Sequence, residues 1–461
     1  MEKREGALHF VGVCGSGMSA LAQFHAMGGG EASGSDRYLD RGESAPARAA
    51  LAALGVRLFP QDGTGVSPAI SEVAVSSAIE ESNPDLARAK ALGLPILHRS
   101  DLLARHVHAM GTIAVSGTSG KSTVTAMVFE ILERSGRSPS VITGGDLLTL
   151  KDRGLLGNAL RGKSDLLVVE ADESDGSLVR YRPWLGVLLN LGKDHKELSQ
   201  LREIFRTFRS QCSRFVVNGD AANMAEFREA REGRPPETFG FSSFCTLQGE
   251  GLLLAPGLVR FSVRGVPFSL PLDGKHNAEN ALAAAAACLE AGISLEESAK
   301  ALASYRGVSR RFELAGESRG VSVIDDYAHN PDKVRAALAA AQLRSGRVLA
   351  VYQPHGYGPT RFLKDDLIAA FSESLRAEDR LWLAEIYYAG GTAVKDISSR
   401  DIADPVAANG KKAFFLPERD AIARAIAQEA RPGDLILVMG ARDPSLSAFA
   451  KSILKTLAAT P

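Results

Sequence analysis

The chain has 461 residues, 45% of them hydrophobic, with 54 Lys plus Arg set against 54 Asp plus Glu. That length holds about three domains of ordinary size, and the apolar content is enough for packed cores and excludes a disordered chain. Balanced charge gives no global field toward nucleic acid or an anionic membrane, and no apolar run is long enough to span a bilayer. The charged start, Met1 to Glu5, has no apolar signal region. The four cysteines, Cys14, Cys212, Cys245 and Cys288, show no metal-like spacing. The expectation is a cytoplasmic protein with reduced thiols, binding neither nucleic acid nor membrane.

Residues 8–13 read as a strand, followed by the turn Gly12-x-x-Gly15-x-Gly17 and a helix to about residue 27. A second strand ends at Ser33-Gly-Ser-Asp36, and Asp36 lies 19 residues past Gly17 (36 − 17). An acid near that spacing meets a ribose hydroxyl in dinucleotide folds. The glycine spacing departs from G-x-G-x-x-G, which weakens an NAD reading and leaves either another nucleotide diphosphate on Gly15, Ser16 and Gly17 or a Rossmann-like fold with no ligand there. A strand over residues 73–79, carrying Ser76 and Ser77, then Asn83-Pro84, a helix and residues 94–97, repeats the strand–helix–strand order of an α/β segment. This first domain is expected to cover residues 1–108.

Residues 112–115 form a short β-branched strand, 116–120 a glycine turn, and 122–134 a helix whose buried stripe is Val124, Met127, Val128, Ile131 and Leu132. In Gly117-Thr-Ser-Gly-Lys-Ser-Thr123 the glycines let backbone N–H groups turn around an anion, and the helix start adds partial positive charge. Lys121, read as exposed at the turn, can reach the β- and γ-phosphates of ATP, and the Ser122 hydroxyl can bind Mg²⁺. Val115 stands where the longer phosphate-loop pattern has its first glycine. Residues 165–170 make a buried strand that ends in Glu170-Ala-Asp-Glu173-Ser-Asp175, carboxylates suited to Mg²⁺ at a ligand-facing sheet edge. Strands over 185–189 and 214–217 end in Asn190-Leu-Gly-Lys-Asp194-His195 and Asn218-Gly-Asp220, and residues 251–272 read as a small antiparallel region. Gly274-Lys-His276-Asn277-Ala-Glu-Asn280 opens an alanine-rich helix, and its three polar side chains either grip a base or cap the helix. The central domain is expected to cover 109–308.

After a hinge over 305–311, a strand over 321–324 ends in Asp325-Asp326-Tyr-Ala-His329-Asn330-Pro331, with proline opening the next helix. Strands over 348–352, 381–386 and 435–439 follow, the first leading to Gln353-Pro-His355. Among nine histidines, His195, His276, His329 and His355 lie at the mouths of strands or helices. The last domain is expected to cover 309–461, and the whole to be α/β: Rossmann-like domains at both ends and a mostly parallel central sheet with a small antiparallel part.

These motifs, taken together, resemble the Mur ligases, ATP-dependent amide-forming enzymes of peptidoglycan precursor synthesis, over essentially the whole chain. The resemblance implies a ligase in which a UDP-N-acetylmuramate carboxylate attacks ATP to give an acyl phosphate, which an amino acid, L-alanine first among them, then opens. It implies Ser122, Glu170 and His195 as Mg²⁺ ligands, the loop from Gly117 through Thr118, Ser119, Gly120, Lys121 and Ser122 to Thr123 as the phosphate cradle, and His276, Asn277 and Asn280 as adenine contacts. Arg311 and Asp326 resemble γ-phosphate and ribose contacts, and His329 and His355 residues near the acyl phosphate and amine. Gly15, Ser16, Gly17, Asp36, Ser76, Ser77 and Arg361 would meet the nucleotide sugar or the incoming substrate. The expected assembly is a monomer or homodimer.

Three stretches depart from the members that add alanine. The loop reads Thr-Ser-Gly-Lys-Ser in place of Thr-His-Gly-Lys-Thr; the third-domain turn reads Ala-His-Asn-Pro in place of Gly-His-His-Pro; and the loop Gly356-Tyr-Gly-Pro-Thr-Arg361 keeps one arginine where they are richer in them. The amine donor therefore stays open between L-alanine, another amino acid and, as in the recycling ligases of the family, a peptide. A folylpolyglutamate-type ligase lacks the first domain, and a catalytically silent nucleotide sensor would not keep Lys121, Glu170, His195, Arg311 and Asp326. Relatives that bind metal with a carbamylated lysine carry it on the helix a few turns after the Asp-His pair; residues 198–212 hold arginines there and no lysine, and Lys196 lies too early in the chain.

Overall fold

Strands followed by helices run through a computed structural model that describes residues 6–174, 176–194, 196–388, 390 and 393–459. His195 and Asp175 lie outside the described residues. The chain forms two compact units, one made of residues 1–191, 199–249 and 280–309, the other of 192–198, 250–279 and 310–461.

The first unit holds two sheets. The amino-terminal one has the strand order Arg57–Phe59, Ala32–Ser35, Leu8–Val11, Glu72–Val75, Ile96–His98, all parallel. Leu8–Val11 is central and fully buried, which explains its apolar run. The larger sheet runs Glu237–Gly240, Arg214–Asn218, Leu185–Leu188, Gly111–Ser116, Leu166–Glu170, Ser140–Ile142, with Ala159–Leu160 antiparallel at the far edge. Gly111–Ser116 and Leu166–Glu170 are neighbours in parallel register, Val115 beside Glu170. Their carboxyl ends, which carry the phosphate-loop motif and the acidic run, therefore open at the same edge.

The two sheets are tied by Asn158. Its amide donates to the Ser16 carbonyl at 2.8 Å and to the Ser19 hydroxyl at 2.9 Å, and accepts from Gln23 at 2.7 Å. The helix Ser16–Met27 is thus fixed to the loop that precedes Ala159–Leu160 by buried polar bonds, which cost far more to break than to leave made.

The second unit holds a six-stranded sheet in the order Glu313–Ser318, Val321–Asp326, Leu435–Gly440, Val348–Gln353, Arg380–Leu383, Ala413–Phe415. Only the first pair is antiparallel. Apolar clusters cover both faces, one around Val334, Leu338, Phe371 and Ile402, the other around Trp382, Ile422, Phe449 and Ile453. The hairpin Leu258–Val263 and Val266–Leu270 also lies in this unit. Its turn residues Arg264 and Gly265 both have positive φ, the geometry that matches strand twist in two-residue hairpins. Residues 251–272 thus form the antiparallel region the sequence indicated.

Two expectations need correcting. Residues 357–361 are not loop: Tyr357–Ser374 is a helix capped by Gly356 at φ 68°. Glycine permits the left-handed turn, and Pro359 falls in the first helical turn, where its missing N–H costs nothing. The phosphate-loop helix begins at Lys121 and runs to Arg134, and Lys121 is not exposed: its side chain is 11% accessible. The short strands Arg57–Phe59, Glu237–Gly240 and Glu313–Ser318 were not anticipated. The last is an edge strand with a bulge between Leu314 and Gly316 and no apolar alternation to signal it.

Candidate functional site

In the first unit the turn 117–120 is held open by glycine and by Asn190. Gly117 has φ 137° and Gly120 φ 83°. A Cβ at Gly117 would lie 3.0 Å from Leu189 Cβ, and one at Gly120 2.6 Å from Asn280 Oδ1. Both positions therefore need glycine for conformation and for space. Asn190 Oδ1 accepts from the Thr118 hydroxyl at 2.9 Å and the Ser119 N–H at 2.8 Å, and its amide donates to the Ser119 carbonyl at 3.0 Å. This residue, at the end of the neighbouring strand, was not given a role from sequence. Asn280, an expected base contact, lies against the same turn.

Lys121 heads the helix and donates to the Gly117 carbonyl at 2.8 Å and to Glu173 Oε2 at 2.7 Å, with Asp172 at 3.5 Å. Burial works to lower its pKa, but Glu173, Asp172 and Glu170 outweigh it, and the ammonium stands above the ordinary lysine value. Glu173 is 2% exposed, and burial raises it to about 7 despite the lowering effect of Lys121. Lys121 is thus held by a buried acid.

Beside it, Glu170 Oε2 accepts from the Ser122 hydroxyl at 2.9 Å, the Thr143 hydroxyl at 2.8 Å and the Gly144 N–H at 2.8 Å. A hydroxyl and a carboxylate side by side, at the mouth of a phosphate loop, are the hard oxygen donors that Mg²⁺ takes together with phosphate oxygens. The residues present therefore fit that ion. The third expected ligand, His195, lies outside the described residues. In the helix Leu198–Gln211, Arg202 and Arg206 pair with Glu226 on the surface, and Arg209 donates to the carbonyls of Glu226 and Glu229.

At the first sheet, Gly15 caps the helix that starts with Ser16 and Gly17. Asp36 accepts from the Cys14 N–H and the Tyr38 N–H, both at 2.9 Å. It buttresses the glycine turn and caps Arg37–Asp40, so any ribose contact shares oxygens already bonded. Ser76 and Ser77 follow Glu72–Val75 in a turn that reaches Gly12 through Ile79. Arg99 comes within 2.9 Å of where a Gly17 Cβ would be. It supplies a positive charge beside the turn that lies about 80 residues away in sequence, beyond the reach of motif reading.

In the second unit, Asp326 accepts from the N–H groups of Phe312 and Ala328, both at 2.7 Å. Burial raises its pKa while Arg311 lowers it. Arg310 and Phe312 have φ of 58° and 55°, left-handed values that cost about 1–3 kcal/mol each in non-glycine residues and persist where the surroundings impose them. Arg310 bonds Asp325 at 3.2 Å and the Gly440 carbonyl at 2.8 Å. This kinked segment holds the Arg311 guanidinium 4.6 Å from the Tyr327 ring centre. His276 and Asn277 open the helix Lys275–Glu290. Asn277 donates to the Asp273 carbonyl at 2.8 Å, and burial lowers His276 to about 4, leaving it neutral at pH 7.

The same unit contains a small cleft lined by Asp194, His329, Tyr352, His355, Thr360 and Leu363 among others. The rings of His329 and His355 meet edge to face at 5.4 Å. His329 Nδ1 donates to the Tyr327 carbonyl at 2.8 Å, so its Nε2 is the acceptor. Burial first, then Lys333, push its pKa down to about 4. Asp194 Oδ2 accepts from Asn330 and from Lys333, each at 2.9 Å. The structure thus brings His329 and His355 together, and adds Asp194 and Lys333. It does not bring Arg361 to them: that side chain is ion-paired with Asp396 and bonds the Val394 carbonyl at 3.3 Å.

Family models match nearly the whole chain: Mur ligase family, catalytic domain over residues 7–110, Mur ligase middle domain over 115–288, and Mur ligase, glutamate ligase domain over 310–442. The chain is 35% identical over 453 residues to a UDP-N-acetylmuramate–L-alanine ligase of Pelotomaculum thermopropionicum, covering 95% of both. It is 37% identical to a protein of the same name from an Arthrobacter species, covering 93% of this chain and 91% of the relative. The solved UDP-N-acetylmuramate-alanine ligase of Thermotoga maritima aligns with a TM-score of 0.79 at 26% identity, over 99% of this chain and 100% of that one. A murein peptide ligase of Psychrobacter arcticus shares the fold, with a TM-score of 0.72 at 22% identity, over 98% and 99%.

Proposed function

The chain belongs to the Mur ligase family, and from that premise we propose that it is the ATP-dependent ligase that joins L-alanine to the carboxylate of UDP-N-acetylmuramate in peptidoglycan precursor synthesis. The observation that carries the reading is the convergence of Lys121, Ser122, Glu170 and Glu173 at one edge of two neighbouring parallel strands. The work divides as residues 1–108 for the nucleotide sugar, 109–308 for ATP and 309–461 for closure and amide formation.

ATP supplies the phosphoryl group that activates the sugar carboxylate as an acyl phosphate, and a bound Mg²⁺ would screen the charge. Lys121 and the amides of 117–123 hold the phosphates, exchanging the lysine's bond to Glu173 for bonds to phosphate oxygens. Ser122 and Glu170 would hold the metal, with His195 as a further ligand. Asn280, with His276 and Asn277, meets the base. Arg311, braced by Tyr327, neutralises γ-phosphate charge, and Asp326 meets the ribose. Gly15, Ser16, Gly17 and the Ser76-Ser77 turn hold the UDP moiety, with Arg99 beside them. His329, neutral, offers an acceptor to the incoming amine. Because phosphoryl and acyl transfer pass through highly charged states, these contributions are positional and electrostatic.

Phosphate release with UDP-N-acetylmuramate, ATP and a panel of L-alanine, glycine, L-serine and a tripeptide with a free amino terminus tests this reading. Release stimulated by L-alanine is expected, with glycine and serine competing more effectively than in arginine-rich members. Release with the tripeptide alone would replace the reading with the recycling ligase. No release with any amine would overturn it.

A further inference from the structure

We propose that Lys333, in ion pair with Asp194 beside His329, is the residue that recognises the carboxylate of the incoming amino acid. This rests on the ligase reading above and adds the residue that selects an α-amino acid over a plain amine.

Charge comes first. An α-amino acid arrives as a zwitterion, and its carboxylate needs a cation. The segment 356–361, expected to supply one, does not: Pro359 and Thr360 line the cleft, while Arg361 is 47% exposed and engaged by Asp396. Lys193 is held by Asp366 at 2.9 Å and lies 4.5 Å from the Phe362 ring centre. Lys333 Nζ lies 2.9 Å from Asp194 Oδ2 and 3.4 Å from His329 Nε2, both on cleft-lining residues.

Burial comes second. Asp194 is 3% exposed and Lys333 23%, so the acid is desolvated while the lysine head keeps access to solvent. Taking ions out of water is the expensive part of binding them, and here folding has already met that cost for Asp194. A zwitterion laid along the pair presents ammonium to Asp194 and carboxylate to Lys333, so one ion pair becomes two with the charges still balanced. Position comes third. Lys333 lies in the first turn of the helix Pro331–Arg344, whose cap Asn330 accepts from the Lys333 N–H at 2.9 Å and also donates to Asp194. The cap therefore fixes the lysine's backbone and its acid together, and the helix start adds partial positive charge to the same place.

The test compares L-alanine with L-alaninamide, which lacks the carboxylate, as amine donors for the full chain. Wild type is expected to prefer L-alanine strongly. Lys333→Met is expected to raise KM for L-alanine by about 10- to 100-fold, the worth of one charge-assisted bond, to lose the preference over L-alaninamide, and to leave KM for ATP and UDP-N-acetylmuramate unchanged. Lys333→Arg is expected to restore part of the preference. ADP formed in a single turnover without amino acid reports the intact first step. A Lys333→Met protein that ligates and keeps the preference overturns the assignment, as does loss of that first step in both variants, which marks a structural lysine. A wild type that ligates no amino acid at all instead overturns the ligase reading on which the assignment depends.

Discussion

Lys121 and Lys333 are built alike and surrounded differently. Each lies in the first turn of a helix that follows a parallel strand, and each is held by a buried acid, Glu173 in one case and Asp194 in the other. Ahead of Lys121, however, Gly120 caps the helix with no side chain, after a turn opened by positive-φ glycines. Ahead of Lys333, Asn330 caps the helix with its own carboxamide, and no glycine occurs between Asp325 and Lys333. A bare helix start can wrap a polyanion in backbone N–H groups, whereas a capped one has committed part of that capacity to its own side chain and adds its partial charge to that of the lysine. On the proposals above, the same local architecture serves a triphosphate in one unit and a single carboxylate in the other.

The sharpest way to break this comparison is at Lys121. Lys121→Met is expected to lower phosphate release by about 10³-fold or more, because a preorganised charge on the transferring group is lost. It is also expected to lower thermal stability, since Glu173 keeps its burial and loses its cation. Breaking a buried pair typically costs about 3–5 kcal/mol, less where the remaining acid takes up a proton. Adding Glu173→Gln is expected to recover stability without recovering turnover. Wild-type turnover in Lys121→Met would remove the phosphate-loop assignment.

How much of this was legible in the chain follows from how local each signal is. The strand–turn–helix around Gly117 to Thr123 is contiguous, and the structure has it within a residue, apart from the buried state of Lys121. That state depends on Glu173, 52 positions away. Glu170 was legible because it ends a buried strand; its partner Thr143 was not, because nothing in a lone threonine marks it. Asn190, Arg99 and Lys333 act through neighbours more than 70 residues distant, and only strand order brings them in. The helix at 357–374 was hidden by glycine and proline at its start, which read as loop until their places in the cap and first turn are known. Edge strands such as Glu313–Ser318 bury little and so leave little apolar pattern.

A smaller effect separates burial from function. Glu130 lies on the helix behind Lys121, its side chain 1% exposed and 3.2 Å from Arg134. Burial raises it to about 7, with Arg134 lowering it. Its folded pKa exceeds the unfolded value of 4.5, so its contribution to stability is full below about 4.5 and fades as pH rises through about 7. The span of about 2.5 units (7 − 4.5) corresponds to at most about 3 kcal/mol. Glu130→Gln is expected to flatten the pH dependence of Tm across that window and raise Tm at pH 8, with nucleotide affinity unchanged. Glu173→Gln, by contrast, is expected to tighten nucleotide binding, because the acid competing for Lys121 is neutralised. Equal behaviour of the two variants in nucleotide titrations would erase the distinction between a buried acid and one that holds Lys121.

The smallest expected effect is at Arg361, and it bears most directly on the second unit. The family resemblance implies this arginine as a substrate contact, the one arginine of residues 356–361. In the structure it is about half exposed, paired with Asp396 and bonded to the Val394 carbonyl. Exposed pairs of this kind contribute about 0–1 kcal/mol. If Lys333 carries recognition of the amino-acid carboxylate, Arg361→Met changes KM for L-alanine by no more than about threefold, within the worth of a surface contact, and leaves the preference over L-alaninamide intact. Steady-state kinetics with both donors decide it. A loss of that preference in Arg361→Met, with Lys333→Met unaffected, would return the role to the helix Tyr357–Ser374 and reverse the assignment of the two cations.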